Sequence, residues 1–549
     1  MRMSEKRENL LGVHFARMLA EKSALTGSER ERFMQIIVAF FDFLDDGHSC
    51  MPLEPGEEEL LAGTGVVSSG ETTPLVIYQG KLYLHRYFNY EMRLSEQVGT
   101  FATVEVSTGE RVAETSKIFE IEDGEENLQK KAAELALNQS LAIISGGPGT
   151  GKTTTVVRII ALLLQSLGTS LRVALAAPTG KAAMRLRQSV QGAIAALDLP
   201  EDILRAVPDT AQTLHRLLGV RRNSPQFRHN SENPLDYDVV VVDEASMVDL
   251  ALMSKLFDAL PPYARLILLG DKDQLASVES GAVLTELTDS LPENTVVLTR
   301  TYRFNEEIKE LAEAIKNNAP ERAWNLLDDD RVSSVHNYGD DLAYVIKNGY
   351  STYNEYVRSV NFDNYASVFT EFNRFRILCG VRGGRRGVEN INSLVEQHIM
   401  TENSYSNSWY PGRPVMINRN DYGLGLFNGD IGICLEDKED GLMKVWFEHE
   451  NGALRPLLPY RLPEHTLAYG MTIHKSQGSE FDDVVIILPE EDSPVLSREL
   501  IYTGVTRAKN TVWMSADQSV FYTAVSRKTV RSSGLGTMLE ERKTALKFS

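Results

Sequence analysis

The chain has 549 residues and a mass of 61.3 kDa, more than one hydrophobic core usually organises, so we expect three or four domains. Hydrophobic residues at 42% and charged residues at 24% match globular averages, which excludes disorder along most of the length. The net charge of −19 disfavours binding to phosphate, so a nucleic-acid-binding protein of this composition would need a local basic channel. The acidic excess suits a basic protein partner equally well.

The N-terminal residues carry no chemical motif and no apolar signal core, so a cytoplasmic protein is expected. ERERFMQIIVAFFDFL has helical periodicity, and PLVIYQGKLYLHRYF is typical of strands with a hairpin turn at YQGK. We predict a small partner-docking domain over residues 1–110. The acidic run EIEDGEE at 120–126 predicts a linker, with a solvated helix start as the alternative.

A first α/β domain is predicted over residues 111–305. Apolar strands alternate there with helical segments, which is typical of a parallel sheet built from βαβ units. The only long apolar stretch nearby, RIIALLLQSL, is too short to span a bilayer, so no membrane segment is expected. Runs without polar alternation indicate strands buried on both faces, namely LAIIS, RVALAA, DVVVVD, RLILLG and TVVLT.

A second α/β domain is predicted over residues 306–549. Its strands are FRILCG, DVVIILP and TVWMSA, with a helix over SRELIYTGVTRAKN. Residues from about 400 to 465 differ, because PVMINRND, IGICLED and GLMKVWF are separated by Gly, Asn and Asp turns. We therefore predict a small β-rich, barrel-like insertion in this domain. Cys50, Cys379 and Cys434 are widely spaced and indicate neither a disulfide framework nor a zinc knuckle.

The strongest local signal is GGPGTGKT, which follows an apolar strand and precedes a helix. Glycines at such a turn let backbone N–H groups point at phosphate oxygens, and the helix N-terminus adds its positive end. Lys152 is expected to reach the β and γ phosphates, and Thr153 to place its hydroxyl on Mg²⁺. The predicted nucleotide loop comprises Gly146, Gly147, Pro148, Gly149, Thr150, Gly151, Lys152, Thr153 and Thr154.

Two further segments end strands with polar side chains. In DVVVVDEAS, Asp243 is expected to hold Mg²⁺ and Glu244 to activate the attacking water, although an ordinary helix cap also uses such residues. In LLGDKDQL, Asp271 and Gln274 follow the next strand, where Gln274 could contact both the γ-phosphate water and a moving segment. Ordinary turn chemistry explains the second segment equally well in isolation.

Further blocks follow in a fixed order, and the order is far more specific than any one motif: APTGKAA, TLHRLLG, LTRTYRF, MTIHKSQGSEF and YTGVTRAK. With them the chain resembles superfamily 1 helicases and, over nearly its whole length, the RecD family of exodeoxyribonuclease V alpha subunits. The resemblance implies two RecA-like domains flanking ATP, with Arg303 and Arg507 at the γ-phosphate. It also implies that Gln129 recognises adenine and that Glu480 meets the ribose or phosphates.

The same resemblance implies a path for DNA along the ends of the strands. Hydroxyl, imidazole and ammonium groups suit contact with a phosphate backbone regardless of sequence. The residues carried over are Thr179, Lys181, Thr213, His215, Thr472, His474 and Lys475. Interior packing is an equal alternative for the two histidines. The segment LFNGDIG at 426–432, in the predicted insertion, resembles the family part that lies beside the strand.

A run of arginines in NRFRILCGVRGGRRG is open to two interpretations. It is a local basic patch for DNA or a partner, or an ordinary solvated loop, and the sequence favours neither. The arginines are Arg374, Arg376, Arg382, Arg385 and Arg386.

The resemblance implies an ATP-dependent DNA helicase that moves 5′ to 3′ with RecB-like and RecC-like subunits in double-strand break repair and recombination. The chain shows no nuclease cluster, so cutting is expected in a partner subunit. Alternatives are a stand-alone RecD-like helicase, an ATP-gated regulatory subunit without motor activity, and an RNA helicase. No long N-terminal extension like that of the stand-alone form is expected, which favours the subunit.

Overall fold

The computed structural model describes residues 9–68, 73–104, 127–195, 197, 200–221, 224–277, 279–300, 305–339, 342–359, 365–421, 423–448 and 453–547. The linker predicted at 120–126 and the boundary predicted at 110 lie outside these residues. The predicted α/β class is confirmed, because two parallel sheets follow one another along the chain with a small N-terminal sheet before them and an antiparallel sheet within the second. None of the described helices is long and apolar enough to cross a membrane.

The N-terminal part combines helices with a four-stranded sheet of order β1-β4-β3-β2. Its elements are α1 Leu10–Lys22, α2 Gly27–Asp45, β1 Cys50–Pro52, α3 Glu57–Ala62, β2 Val67–Ser68, β3 Leu75–Tyr78, β4 Lys81–Leu84 and α4 His85–Thr103. The predicted hairpin is confirmed, since Tyr78 pairs with Lys81 and both Gln79 and Gly80 have positive φ, as the tight β-hairpin turn requires.

The strand predicted through HRYF was wrong, because α4 begins at His85. Its apolar side chains recur at helical spacing, and Leu94, Val98 and Phe101 pack into the core of the following sheet together with Leu141. Tertiary packing of these residues therefore decides the conformation.

The first α/β domain has a six-stranded parallel sheet of order β10-β5-β9-β8-β6-β7. All five predicted strands are confirmed. The strands are β5 Leu141–Gly146, β6 Val173–Ala177, β7 Gln212–Thr213, β8 Val239–Val242, β9 Arg265–Gly270 and β10 Thr295–Leu298. The helices are α5 Leu128–Asn138, α6 Lys152–Leu167, α7 Gly180–Ala195, α8 Glu201–Ala206, α9 Leu214–Leu218, α10 Leu250–Ala259 and α11 Val283–Ser290.

The second α/β domain has a five-stranded parallel sheet of order β11-β20-β19-β12-β18. Its strands are β11 Val335–Asn337, β12 Phe375–Cys379, β18 Gly470–Thr472, β19 Phe481–Ile487 and β20 Ala508–Ser515. Its helices are α12 Glu306–Lys316, α13 Pro320–Leu327, α14 Leu342–Asn348, α15 Ser351–Ser359, α16 Tyr365–Phe372, α17 Val388–Glu402, α18 Arg498–Val505 and α19 Gln518–Ser526.

The helix predicted over SRELIYTGVTRAKN is shorter in the structure than predicted. In the structure α18 stops at Val505, and residues from Ala508 onward already pair with β19. β-branched residues and Gly504 weaken the end of this helix, while Val512 and Met514 are buried as strand residues.

The predicted insertion is a five-stranded antiparallel sheet of order β16-β15-β14-β13-β17. Its β structure begins later than about 400, because α17 occupies the chain to Glu402. The strands are β13 Pro414–Ile417, β14 Ile431–Glu436, β15 Met443–Glu448, β16 Leu454–Leu457 and β17 His465–Leu467.

The C-terminal helix α20, Leu535–Lys547, returns to the N-terminal part of the chain. It packs on α4 and α11, with Leu535 and Leu539 buried in the core of the first parallel sheet. The segment before it crosses from one α/β domain to the other, where the Arg531 guanidinium donates to the carbonyl oxygen of Gly281 at 3.1 Å.

Candidate active site

The glycine-rich loop lies between the fully buried strand β5 and helix α6. Gly149 and Gly151 have φ of +77° and +80°, the left-handed region that a side chain rarely adopts. A Cβ on Gly146 would lie 2.7 Å from Thr150 Oγ1, so a side chain is excluded there as well. The loop therefore presents backbone at the N-terminus of α6, which suits an anion.

The Lys152 ammonium lies inside this loop. Its Nζ donates to the carbonyl oxygens of Gly146 at 2.6 Å and Gly147 at 3.1 Å. Thr153 is half-buried at the start of the helix, and Thr154 is exposed. The positive charge of Lys152 thus lies within the glycine-rich loop, and its contact with the β and γ phosphates stays a prediction.

Asp243 and Glu244 follow β8 at the same edge of the sheet. Burial, and then the negative charge of Glu244, raise the pKa of Asp243 to about 6. Glu244 has φ +52°, a strained value for this residue type, and its N–H donates to Asp243 Oδ1 at 2.9 Å. Two crowded carboxylates beside a phosphate-binding loop favour a divalent cation, so these residues fit Mg²⁺.

Arg507 reaches this edge from the second α/β domain. Its Nη2 donates to Gln274 Oε1 at 2.8 Å and its Nη1 to the Ser479 carbonyl oxygen at 3.1 Å. The side chain is 1% exposed, and burial lowers its pKa, while the charges of Glu244 and Asp271 act in the opposite direction. The structure thus joins Arg507 and Gln274, which lie 233 residues apart in sequence.

Sequence reasoning missed Tyr502 on helix α18. Its hydroxyl donates to Asp271 Oδ2 at 3.1 Å, and Gln274 Nε2 donates to the same oxygen at 3.0 Å. A Cβ on Gly147 would lie 3.0 Å from this hydroxyl. Tyr502 belongs to the YTGVTRAK block, but a tyrosine beside an arginine gives no signal of its own.

A cavity of about 140 Å³ separates the glycine-rich loop from helix α12 of the second domain. Lys309 and Lys316 line it, and Lys316 Nζ lies 2.6 Å from Asp273 Oδ2 across the interface. Sequence reasoning missed both lysines because EEIKELAEAIK is an ordinary amphipathic helix. The cavity lining therefore combines these two lysines with the carboxylates of Asp271, Asp273 and Glu313.

Three predicted nucleotide residues are not joined to this cavity by the structure. Gln129 Oε1 accepts from Arg158 at 3.3 Å, and Glu480 pairs with Arg185 at a neighbouring cavity of about 550 Å³. Arg303 lies outside the described residues. The roles predicted for these three stay predictions.

Three threonines predicted at the DNA path share one local geometry. Each lies at or just after the carboxyl end of a parallel strand, and its hydroxyl accepts a backbone N–H three residues later. The pairs are Thr179 with Ala182 at 3.2 Å, Thr213 with Arg216 at 3.3 Å and Thr472 with Lys475 at 3.3 Å. Each threonine therefore caps the turn that follows its strand, so polar groups gather at the carboxyl ends of β6, β7 and β18.

The basic residues of these segments have different surroundings. Lys181 Nζ lies 5.7 Å from the Phe481 ring centroid, and burial, with Arg376 and Arg185 nearby, lowers its pKa to about 7. The exposed Lys475 donates to Asn418 Oδ1 at 3.1 Å.

The two histidines of these segments differ in solvent exposure. The exposed His215 ring packs edge-on against Phe227 at 5.6 Å, and the half-buried His474 has its pKa lowered by burial and by Arg531.

The arginine-rich run is not a basic patch. Arg376 is fully buried and Arg386 is 3% exposed. The other three face solvent, and each pairs with a glutamate: Arg374 with Glu371 at 3.2 Å, Arg382 with Glu389 at 3.1 Å and Arg385 with Glu490 at 2.5 Å. The run therefore supplies little net positive charge to a partner.

Comparison with known proteins agrees with this geometry. Residues 129–280 match the family model described as AAA domain, and residues 467–515 match the UvrD-like helicase C-terminal domain. The chain is 30% identical to the ATP-dependent RecD2 DNA helicase of Deinococcus radiodurans, covering 88% of this chain and 65% of that protein.

Two relatives are covered more completely. The chain is 36% identical to the RecBCD enzyme subunit RecD of Haemophilus influenzae, covering 86% of this chain and 82% of that protein. It is 39% identical to the RecBCD enzyme subunit RecD of Mycolicibacterium smegmatis, covering 85% of this chain and 83% of that protein. This chain belongs to the RecD family.

Proposed function

We propose that the chain is an ATP-dependent single-stranded DNA translocase and helicase, the RecD-like subunit of a RecBCD-type helicase–nuclease in double-strand break repair and recombination. The observation that carries the proposal is the contact of Arg507 with Gln274 beside the nucleotide loop. A protein that only binds a nucleotide has no need of an arginine from a second domain, whereas a motor closes two domains on ATP.

The chain's own residues account for hydrolysis. Lys152 and the loop N–H groups bind the β and γ phosphates, and Glu244 takes the proton of the attacking water. Arg507 stabilises the negative charge that spreads over the transferring phosphoryl oxygens. Thr153 and Asp243 would hold Mg²⁺, which neutralises phosphate charge when bound. The cluster fits this ion because Asp243 is buried beside a second carboxylate.

The loop from Asp271 to Leu275 couples the nucleotide to the second domain. The Leu275 N–H donates to Thr503 Oγ1 at 3.0 Å, and Gln477 Nε2 donates to the Leu275 carbonyl oxygen at 2.9 Å. Gln477 lies two residues after Lys475, in the segment proposed to contact DNA. A change at the γ-phosphate can therefore move the DNA-facing segment through direct contacts.

DNA binding is expected to depend on pH through Lys181. Phosphate binds its ammonium form, and a pKa of about 7 leaves the side chain increasingly neutral above that pH. Affinity for single-stranded DNA should fall as pH rises through about 7 and level off once the contribution of this one phosphate contact is lost. Fluorescence anisotropy between about pH 6 and pH 8 measures this, with Lys181→Arg as the control that stays charged. An equal pH slope in both proteins would contradict the assignment.

The N-terminal part is proposed to dock RecB-like and RecC-like subunits. Leu10, Leu11 and Met18 on α1 are 64%, 69% and 43% exposed, and Leu11 and Met18 lie on one helix face. Changing both Leu11 and Met18 to Glu should reduce co-purification with the partners and leave ATP hydrolysis unchanged. Tyr263→Glu, at an isolated exposed residue of the first domain, is the control. Undiminished assembly of the double variant would exclude this surface.

Steady-state ATP turnover and strand displacement together distinguish the proposed motor from the alternative functions. The proposed motor hydrolyses ATP faster with single-stranded DNA than without it. A regulatory subunit shows no such stimulation, and an RNA helicase is stimulated by single-stranded RNA instead. A stand-alone helicase displaces strands without partner subunits. Mg²⁺ dependence, measured by titration of the same reaction, tests the proposed cation.

A further inference from the structure

A third cavity, of about 120 Å³, lies where the first α/β domain, helix α16 and the β insertion meet. The first domain contributes the N-terminal turn of α7 and the Arg216 side chain, both from segments proposed to contact DNA. The aromatic walls of the cavity are Phe369, Phe372, Phe427 and Phe447.

Phe427 is held on a loop of fixed shape within the insertion. Its N–H donates to Asp430 Oδ2 at 2.7 Å, and the N–H of Asn428 donates to Asn420 Oδ1 at 2.8 Å. The backbones of Asp421 and Leu426 bond to each other at 2.7 and 3.0 Å. The half-buried ring is therefore presented by a preorganised backbone, which lowers the entropy cost of binding to it.

Arg216 faces this ring from the first domain. Its guanidinium carbon lies 5.1 Å from the Phe427 centroid, within the range of a cation–π contact. The N–H of Arg216 is bonded to Thr213, so the arginine belongs to the capped turn at the DNA path. The Phe427 ring and the turn that carries Arg216 therefore line the same cavity from two different domains.

The charges around the cavity distinguish a base from a phosphate. Asp430 and Glu448 line its interior together with the aromatic rings, and carboxylates repel phosphate but accept hydrogen bonds from base amino groups. Lys181 and Arg216 from the first domain and Arg455 from the insertion also line the cavity, and their charges attract the backbone. This mixed lining suits a nucleobase held among the rings with its phosphate near these cations.

We propose that the Phe427 ring is a stacking platform for a nucleobase of single-stranded DNA, in place of or beside the Arg216 guanidinium. The inference rests on the proposed function. Stacking on an aromatic ring tolerates any base, which suits a motor that must move over every sequence.

The test is binding of single-stranded DNA to the full chain, measured by fluorescence anisotropy. Phe427→Leu should weaken binding about fivefold to a hundredfold, the range for loss of one stacked base. Phe427→Trp keeps an aromatic face and should bind like the unaltered chain. Tyr460→Leu is the matched control, because Tyr460 is an 81% exposed aromatic residue of the same insertion, outside the cavity. Equal binding by Phe427→Leu and the unaltered chain would overturn the proposal.

An abasic oligonucleotide separates stacking from a loss of folding. The unaltered chain should bind it more weakly than ordinary DNA, whereas Phe427→Leu should lose less or nothing on the same change. An equal loss in both proteins would contradict base stacking. If the unaltered chain binds no single-stranded DNA at all, the proposed function itself fails. The slope of log affinity against log salt should not change in Phe427→Leu, because no phosphate contact is removed.

Discussion

Replacing Lys152 by Gln is expected to abolish DNA-stimulated ATP hydrolysis. The ammonium lies within the glycine-rich loop at 2.6 Å from the Gly146 carbonyl oxygen, and its charge stabilises the phosphates more in the transition state than in the ground state. Loss of one such preorganised donor costs roughly 10²-fold or more in kcat. Phosphate release at saturating single-stranded DNA measures the effect.

A matched control removes one lysine charge far from the loop. Lys347→Gln, on the exposed face of α14, should hydrolyse ATP at the unaltered rate. Lys152→Gln should still bind single-stranded DNA, which shows that it folds. Turnover by Lys152→Gln at the level of the control would refute the nucleotide site.

Replacing Arg507 by Lys is expected to lower kcat for ATP by about 10³-fold or more, the effect of losing an arginine at the transferring phosphoryl group. The planar guanidinium donates to Gln274 across the domain interface and to the Ser479 carbonyl oxygen within its own domain, and a single ammonium cannot donate in both of these directions with the same geometry. Single-turnover hydrolysis, with the protein at saturating concentration and in excess over ATP, measures the chemical step without the influence of product release.

Folding must be separated from catalysis here because Arg507 is buried. Thermal unfolding of Arg507→Lys should resemble that of Arg498→Lys, at the start of the preceding helix α18, whose guanidinium donates to the carbonyl oxygens of Val525 and Ser526 instead. Arg498→Lys should retain its ATP turnover. A folded Arg507→Lys chain with the unaltered kcat would show that the second domain takes no part in hydrolysis.

The sequence predicts the sheets and the phosphate loop because each depends on local signals. Val239–Val242 is apolar throughout, as a strand covered on both faces must be, and all four residues are fully buried. Gly149 and Gly151 are predicted as turn residues, and both have positive φ. In such segments the side chains themselves determine the conformation.

Features that depend on distant contacts could not be predicted. The helix at His85 forms because Leu94 and Val98 pack on a sheet whose first strand begins at Leu141. Arg376 resembles a surface arginine in sequence, yet it is buried and donates to the Ala468 carbonyl oxygen at 2.9 Å, 92 residues away. Sequence spacing contains no information on such partners.

Two domains closing on ATP are proposed to move the chain along one DNA strand. The most direct measurement is strand displacement on duplexes carrying a 5′ or a 3′ single-stranded tail, with partner subunits, comparing the unaltered chain with Lys152→Gln. Partners that carry their own motor are present in both reactions, so the difference between them reports on this chain. We expect Lys152→Gln to lose displacement on the 5′-tailed duplex in particular. Equal displacement of both duplexes by the two proteins would show that ATP-driven movement of this chain does not contribute.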